Sequence, residues 1–504
     1  MPSSSSMAHL RDLRAHEGGS GGSHVEAVAP QHHLMTLQKK IQLTAEILKF
    51  VYNKFCKTLT ALGMKKQFNE MDKTQNSVNE DYDPYQHRKV ENPMSNVEVY
   101  ISLLKASIGI GCLAMPKAFQ AAGWLNGLIS TALIGSIVIF ALHVLLRGMY
   151  KLSKRKRVPR LNYPDSMAFA LQLGPKCLRF LSESVRSTID FVLAFYHFGV
   201  CCAYVVFIAD NLKELLDFYG YEIDTRFYIF ALSLPLSAIY FVRDLRNLVP
   251  FNALADAMIC LSFVIIFAYI FTGLPALAER SAFGDMKSYP LFFGTVLFAI
   301  ESVGVIISVE AKMKSPRDYL GLYGILNMGL VTSLILYVLI AFFGYWRYGE
   351  KVKDSITSNL PMEDFFPRLA RLMFAVAIFL SFALQGYITI EVCWRRYSEY
   401  MNLKPSHPLE YVLRIAIVLG AVLAAAMSSH LALILSLVGS FSLSYLGLIF
   451  PGLMDFCLRY GRGFGPYKIY LWQDMALMVF GFIGGAIGTW FSLSDLYANY
   501  QLQQ

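Results

Sequence analysis

Six ionisable side chains fall inside long apolar runs: Lys105, His143, Asp190, His197, Asp256 and Glu301. At the centre of a bilayer each costs a few kcal/mol or more unless it pairs or meets water. Such residues therefore mark either a polar pathway or an internal partner. Glu301 is the most informative, because it lies deep in its run and inside the sequence FAIESVG (Phe298–Gly304). It would bind substrate, carry a coupled proton or gate, or else hydrogen-bond a broken helix end. His197 stands among Phe195, Tyr196 and Phe198. Its imidazole titrates near neutral pH, so it is read as a coupling group or as a packed, satisfied ring. Lys105 would pair with a carboxylate or cap exposed carbonyls. His143 and Asp190 lie nearer the ends of their runs and read as interfacial. Asp256, about a third of the way along its run, fits either role.

Two of the runs contain sequence that a continuous helix avoids. One is Ser107-Ile108-Gly109-Ile110-Gly111, followed by Pro116; the other is Ala299 to Gly304. Glycine costs about 1 kcal/mol against alanine in a helix interior. A break at mid-membrane is tolerated where the bared backbone lines a polar cavity. The two runs are the first and the sixth, so they cross in opposite directions. Interrupted segments at corresponding positions of inverted halves point to a transporter binding site. Half-helix N-termini offer N–H groups to an anion and half-helix C-termini offer carbonyls to a cation; an amino acid zwitterion carries both charges. The competing reading is that Gly109, Gly111 and Gly304 only let helices approach closely.

The elements that position these residues are apolar helices. Runs near 97–119, 124–148, 188–217, 226–242, 248–273, 289–310, 319–344, 367–393, 410–428, 431–454 and 472–495 predict eleven transmembrane helices. Each is about long enough for a ~30 Å hydrocarbon core at ~1.5 Å per residue. Alternate connections carry Lys/Arg clusters, beginning with Arg147, Lys151, Lys154, Arg155, Lys156, Arg157 and Arg160. Short basic loops stay on the cytoplasmic side, which predicts a cytoplasmic N-terminus and a C-terminus facing the exterior or a lumen. Of the 504 residues, 55% are hydrophobic and only 16% charged, too few charges to coat a soluble surface of this size. The net charge of +9 is spread over these connections rather than gathered into a nucleic-acid footprint.

The eight cysteines form no CxxC pair, and neither HExxH nor GxSxG occurs, so no metal, cofactor or enzyme activity is expected. No signal peptide is visible, so internal helices would drive insertion. Residues 1–93 read as a cytoplasmic N-terminal region, partly disordered, with a basic amphipathic helix near 36–66 and a polar linker over 67–95; residues 94–500 form the transmembrane domain.

The stretch LLKASIGIGCLAMPKAFQAAGW (Leu103–Trp124) resembles the first span of the proton-coupled amino acid transporters, within the amino acid/auxin permease superfamily. FGVCCAYVVFIADN, RDLRNLVPFNALAD, FAIESVGVIISVEAKMKSP, DSITSNLP, ALQGYITIE and SLVGSFS resemble later motifs of that family in the same order. The resemblance implies an all-α, LeuT-like architecture: a five-plus-five inverted repeat plus one extra helix. It implies secondary-active symport of small neutral amino acids, proton-coupled, at the plasma or lysosomal membrane. By position, substrate would meet Ser107, Gly109 and Gly111 in the first span and Phe298, Glu301 and Gly304 in the sixth, with Tyr204 and Gln385 as neighbours. Glu301, His197 and Lys105 would serve coupling or gating.

The chain departs from the family pattern in places. Ser102 stands where many members have the histidine associated with proton coupling, and His197 stands where a glutamine is usual. Gly386 replaces an expected aromatic, which should widen that side of a pocket. The alternative function is an amino acid sensor that binds substrate with little net flux and meets a signalling partner through its N-terminal region.

Overall fold

The computed structural model describes residues 82–90, 93–241, 249–300, 303–401, 408–428 and 430–502. The amphipathic segment near 36–66 lies outside these residues. The described chain is all-helical in its spans.

A capping box starts the first helix. Ser95 Oγ accepts from the Glu98 N–H at 3.4 Å while Glu98 Oε2 accepts from the Ser95 N–H at 2.7 Å, which satisfies two of the otherwise orphaned donors of a helix start. Helix α1 (Asn96–Ser107) then stops. Ile108 and Gly109 are extended, α2 (Ile110–Ala122) resumes, and the two axes differ by 52°. The chain continues through α3 (Trp124–Lys156), α4 (Tyr163–Leu173) and α5 (Ser182–Phe218). Next come two short helices, α6 (Thr225–Ala231) and α7 (Ser233–Tyr240), and then α8 (Val249–Phe271). The sixth span comprises α9 (Tyr289–Ile300) and α10 (Val303–Lys312). The bundle is completed by α11 (Ile325–Tyr348), α12 (Phe365–Met401), α13 (Leu409–Met427), α14 (Leu431–Val438), α15 (Phe450–Tyr460) and α16 (Ile469–Leu502).

Among the described residues, nine helical segments are long and apolar enough to cross a membrane, and the bent pair α1–α2 makes ten. The difference from eleven is the run at 226–242, which forms α6 and α7 of 7 and 8 residues. The physical reason is Pro235. It has no N–H to donate to the Ala231 carbonyl one turn earlier, so the helix is interrupted there.

Helix α2 packs between α9 and α11, so the far half of the first span lies against the sixth and seventh. Helix α5 packs along α12, which also carries α8. Between α14 and α15 the backbone widens into a π-helical stretch, Gly439–Ile449. That stretch packs on α9 and α16. A β-carbon at Gly439 would fall 2.1 Å from the Gly294 carbonyl oxygen of α9. Glycine at 439 is what permits that approach, since any side chain would force the two helices apart.

Candidate functional site

The interruption in the first span brings bare backbone to the middle of the bundle. Ser107 ends α1 and is buried; its Oγ donates back to the Leu103 carbonyl at 3.0 Å. Its own carbonyl accepts from the Tyr337 hydroxyl of α11 at 2.5 Å. Gly109 caps α2 with no side-chain hydrogen bond, and nothing lies within 4 Å of where its β-carbon would stand. The start of α2 therefore presents backbone amides of positive electrostatic sign beside open space.

Gly111 faces the sixth span. A β-carbon there would lie 3.0 Å from Ala299 Cα and 3.1 Å from Phe298 Cδ1. A side chain at 111 would make these neighbours give way by a few tenths of an ångström, and the contact joins the first span to the sixth. Phe298 is buried, with its ring 6.2 Å from that of Tyr196 on α5. Glu301 and Ser302 lie outside the described residues: the described helix stops at Ile300 and resumes at Val303. Gly304, the second residue of α10, is described, and the nearest atom to its missing side chain is His197 Nε2 at 3.9 Å.

His197 is 4% exposed. Its Nδ1 lies 2.9 Å from Gln385 Oε1 on α12. Gln385 as placed offers a carbonyl, so Nδ1 donates and Nε2 is left facing the sixth span. Nε2 is buried with no hydrogen-bond partner among the described residues. An unsatisfied buried polar atom costs about 1–3 kcal/mol, which makes this nitrogen a place where a polar ligand atom is stabilising. Tyr204, two turns further along α5 and buried, places its hydroxyl against the same Gln385.

The described contacts thus join Gly111 to Phe298, and Gly304 through His197 to Gln385 and Tyr204, while Ser107 and Gly109 lie at the break between α1 and α2. Lys105 is elsewhere: it forms an ion pair with Asp256 of α8, the two side chains 47% and 31% exposed, which explains both charged residues within apolar runs. Asp190 is buried between Arg395 and Arg396, at 3.0 and 2.8 Å. His143 is buried, its Nδ1 2.8 Å from the Ile139 carbonyl. Ser102, at the position of the family histidine, is turned outward and donates to the Glu98 carbonyl at 2.7 Å.

Gly386 does not widen the centre. Its missing side chain is replaced by the hydroxyl of Tyr240 from α7, 1.2 Å from the ideal β-carbon position. The aromatic volume is supplied by another helix, and a spacing pattern along α12 alone carries no sign of it. Tyr337 was equally invisible, since an uncharged aromatic in an apolar run has no periodicity that marks it as a cap.

Both ends of the bundle are fastened by polar groups. At one end Glu214 of α5 pairs with Arg371 of α12 and, at 2.9 Å, with Lys353, while Arg371 Nη2 also donates to the Leu360 carbonyl at 2.8 Å. At the other, Arg88 Nη1 donates to Glu310 Oε1 of α10 at 2.9 Å. Two surface cavities, of about 500 and about 690 Å³, lie away from this centre.

An all-helical bundle with nine or ten apolar crossings among its described residues, one of them interrupted, defines a multi-pass membrane protein. The chain matches the family described as transmembrane amino acid transporter protein over residues 92–494. It belongs to that family. It is 32% identical over 437 residues to the proton-coupled amino acid transporter-like protein pathetic of Drosophila melanogaster, covering 86% of this chain and 92% of that one. It is 26% identical over 428 residues to the amino acid transporter AVT3C of Arabidopsis thaliana, covering 80% and 92%. Among solved structures it is similar to Mhp1, a nucleobase-cation-symport-1 family transporter in a closed conformation with bromovinylhydantoin bound, at 12% identity over 84% of this chain and 96% of that chain with a TM-score of 0.46. A Na+-coupled sialic acid symporter matches at 15% identity over 90% and 98%, with a TM-score of 0.39. The relatives are named as transporters rather than enzymes.

Proposed function

We propose that this chain is a secondary-active symporter of small neutral amino acids, coupled to protons, with the substrate held between the first and sixth spans. The observation that carries the reading is the meeting of Gly111 with Phe298 and Ala299, together with a buried His197 Nε2 that has no hydrogen-bond partner among the described residues. In this reading the substrate carboxylate faces the amides at the start of α2. Its ammonium faces carbonyls near the end of α1 and the sixth-span interval that contains Glu301. Gly109, Gly304 and Ser107 leave room for backbone contact, Phe298 walls the side chain, and Tyr204 and Gln385 hold His197 in register.

Coupling follows from one nitrogen. Neutral His197 presents Nε2 as an acceptor, and the protonated ring presents an N–H donor carrying positive charge. A substrate carboxylate binds the second form better, so proton and amino acid raise each other's affinity by the same factor. Glu301 is the second coupling candidate, on its sequence position. Alternating access would move spans 1, 2, 6 and 7 against 3, 4, 5 and 8. The full architecture in this reading is eleven spans, with α6–α7 as the fourth, arranged as two inverted fives and a last helix. The N-terminus would face the cytoplasm, in the plasma or lysosomal membrane. Uptake of tritiated alanine and glycine into vesicles bearing the full chain, across imposed pH gradients, tests this. Accumulation driven by acid outside supports symport. Binding without accumulation favours the sensor reading, and neither binding nor accumulation across a broad amino acid panel removes both.

A further inference from the structure

Two elements far apart in the sequence bring positive charge to one corner of the bundle. The amine of Lys151, near the end of α3, lies within electrostatic range of Arg147 one turn back and of Arg459 and Arg462 at the end of α15. Two carboxylates share the corner, Asp455 of α15 and the fully buried Asp474 of α16. With both acids ionised, four cations against two carboxylates leave two positive charges in excess. Arg459 is engaged already: its Nε donates to Asp455 Oδ2 at 2.6 Å, and its guanidinium lies 3.9 Å from the centre of the Tyr470 ring. Among the described residues the side chains of Lys151 and Arg462 make no ion pair and no hydrogen bond. The connection from α15 to α16 adds Lys468 and contains no acid between Arg459 and Ile469.

Helix α16 fixes how deep this corner sits. Trp472, Val479, Ile483, Ile487 and Trp490 recur along one stripe, and each is about half exposed or more. The two tryptophans are eighteen residues apart, about 27 Å along a helix and close to the ~30 Å hydrocarbon core. Tryptophans belong at the two membrane–water boundaries. Trp472 therefore stands at one boundary, and Lys468 is about 6 Å beyond it on the aqueous side. Inward from Trp472, the helix borders an apolar groove of about 500 Å³ against α9, which reaches down to Ala476.

We propose that this corner binds an anionic phospholipid of the adjoining leaflet, its phosphate held by Lys151, Arg462 and Lys468 and an acyl chain laid along the stripe that starts at Trp472. The inference goes beyond the transport reading and takes nothing from its substrate. Charge complementarity is the first support. Like charges drawn to one place repel, and the protein's own two carboxylates offset only half of the four cations. A phosphate diester brings the corner nearer to balance, and its oxygens accept from several cations at once. Depth is the second support. The cations sit at the level of the head groups, just outside Trp472, so a lipid reaches them without leaving the bilayer. A basic pocket between spans on the cytoplasmic side is an arrangement that holds anionic head groups. Lys151 is half-buried between two helices, unlike the exposed cations of an ordinary surface loop. Continuity is the third. The exposed stripe runs directly from the boundary into the hydrocarbon core, where an acyl chain covers it and a soluble anion does not.

The test reads Trp472. The full chain is reconstituted into phosphatidylcholine vesicles carrying a small, varied fraction of lipid brominated in its acyl chains, with either a phosphatidylglycerol or a phosphatidylcholine head group. Bromine quenches tryptophan fluorescence on contact, and the share due to Trp472 is the difference between the unaltered chain and Trp472→Phe. Half-quenching of that share is expected at about a tenth of the lipid content for the glycerol head group relative to the choline one. Lys151→Gln with Arg462→Gln should abolish the preference, and Lys151→Arg with Arg462→Lys, which keeps the charges, should retain it. Equal quenching by the two head groups overturns the proposal, as does a preference unchanged in the glutamine pair. Loss of the preference in both pairs also overturns it, because the loss then follows any change at these positions rather than the charge. Inorganic phosphate, added on both sides at constant ionic strength, identifies the source of the anion. If it removes the preference, the corner holds free phosphate and the lipid proposal falls. No amino acid is present, so the outcome is independent of whether the chain transports alanine.

Discussion

His197 is the residue on which the chemistry turns. Its two nitrogens are in different circumstances, one bonded to Gln385 at 2.9 Å and one facing Gly304 with no hydrogen-bond partner among the described residues. A histidine that served only packing would satisfy both. His197→Gln keeps a polar group of similar reach toward Gln385 but removes the titration. We predict that uptake by this variant loses its dependence on pH and falls about tenfold, equivalent to ~1.4 kcal/mol, measured as initial rates between pH 5 and 8. Retained pH dependence with normal rates would return His197 to the core. Some of this was legible in the chain. A histidine within an apolar run is conspicuous, and so is Gly304 three residues after Glu301. Its partner was named only as a neighbour by resemblance, because Gln385 lies 188 residues away and no local pattern joins the two. Tyr240, which fills the space vacated at Gly386, was not legible for the same reason.

At the scale of elements, the first span is the decisive one. Its break needs Ile108 and Gly109 extended, Pro116 a turn into the next helix, and a cap for the Ser107 carbonyl. Hydropathy and glycine spacing announce the first two, while the third comes from Tyr337, 230 residues along. The same limits explain α6 and α7. Pro235 was in view within the run 226–242, but hydropathy weighs side chains and does not register one missing backbone donor. The contact between spans has its own test. In Gly111→Leu the new side chain must displace Ala299 backbone and the Phe298 ring, at 3.0 and 3.1 Å from the β-carbon. Overpacking of this kind costs typically 1–3 kcal/mol. We predict a lowered melting temperature in detergent and uptake below a tenth of the unaltered rate. Normal uptake would mean that the spans do not meet there during transport.

For the whole molecule, both ends of the bundle are fastened by charges, with Glu214–Arg371 at one and Arg88–Glu310 at the other. The segment at residues 82–90 straps one end of the bundle through Arg88 and Asp83, and Asp83 gives this strap an acid-side response. Burial pushes its carboxyl up, but the Arg317 pair, the Tyr85 N–H and the Tyr150 hydroxyl together outweigh burial and hold it below the usual aspartate value. A lowered folded-state value gives stabilisation that is present above the unfolded value, ~3.9, and is lost as pH falls through the folded value. The contribution of Asp83 to the strap is therefore unchanged from pH 8 down to about 5 and is lost only below about 4. Proteolysis within residues 82–90, followed across that range, should accelerate only at the acid end. Acceleration between pH 7 and 5 would place a different group in control. This strap was hidden in the sequence, where polar residues without periodicity read as linker; ion pairs such as Arg88–Glu310, 222 residues apart, are a property of the folded chain.

The central claim, that an amino acid sits where the first and sixth spans meet, is tested most directly by a cryo-electron microscopy map of the full chain with saturating alanine. The account predicts density between Gly109 and Gly304, within hydrogen-bond reach of the amides that open α2 and of His197 Nε2. Density at another place in the bundle, or an unchanged centre at an alanine concentration that supports uptake, would contradict it.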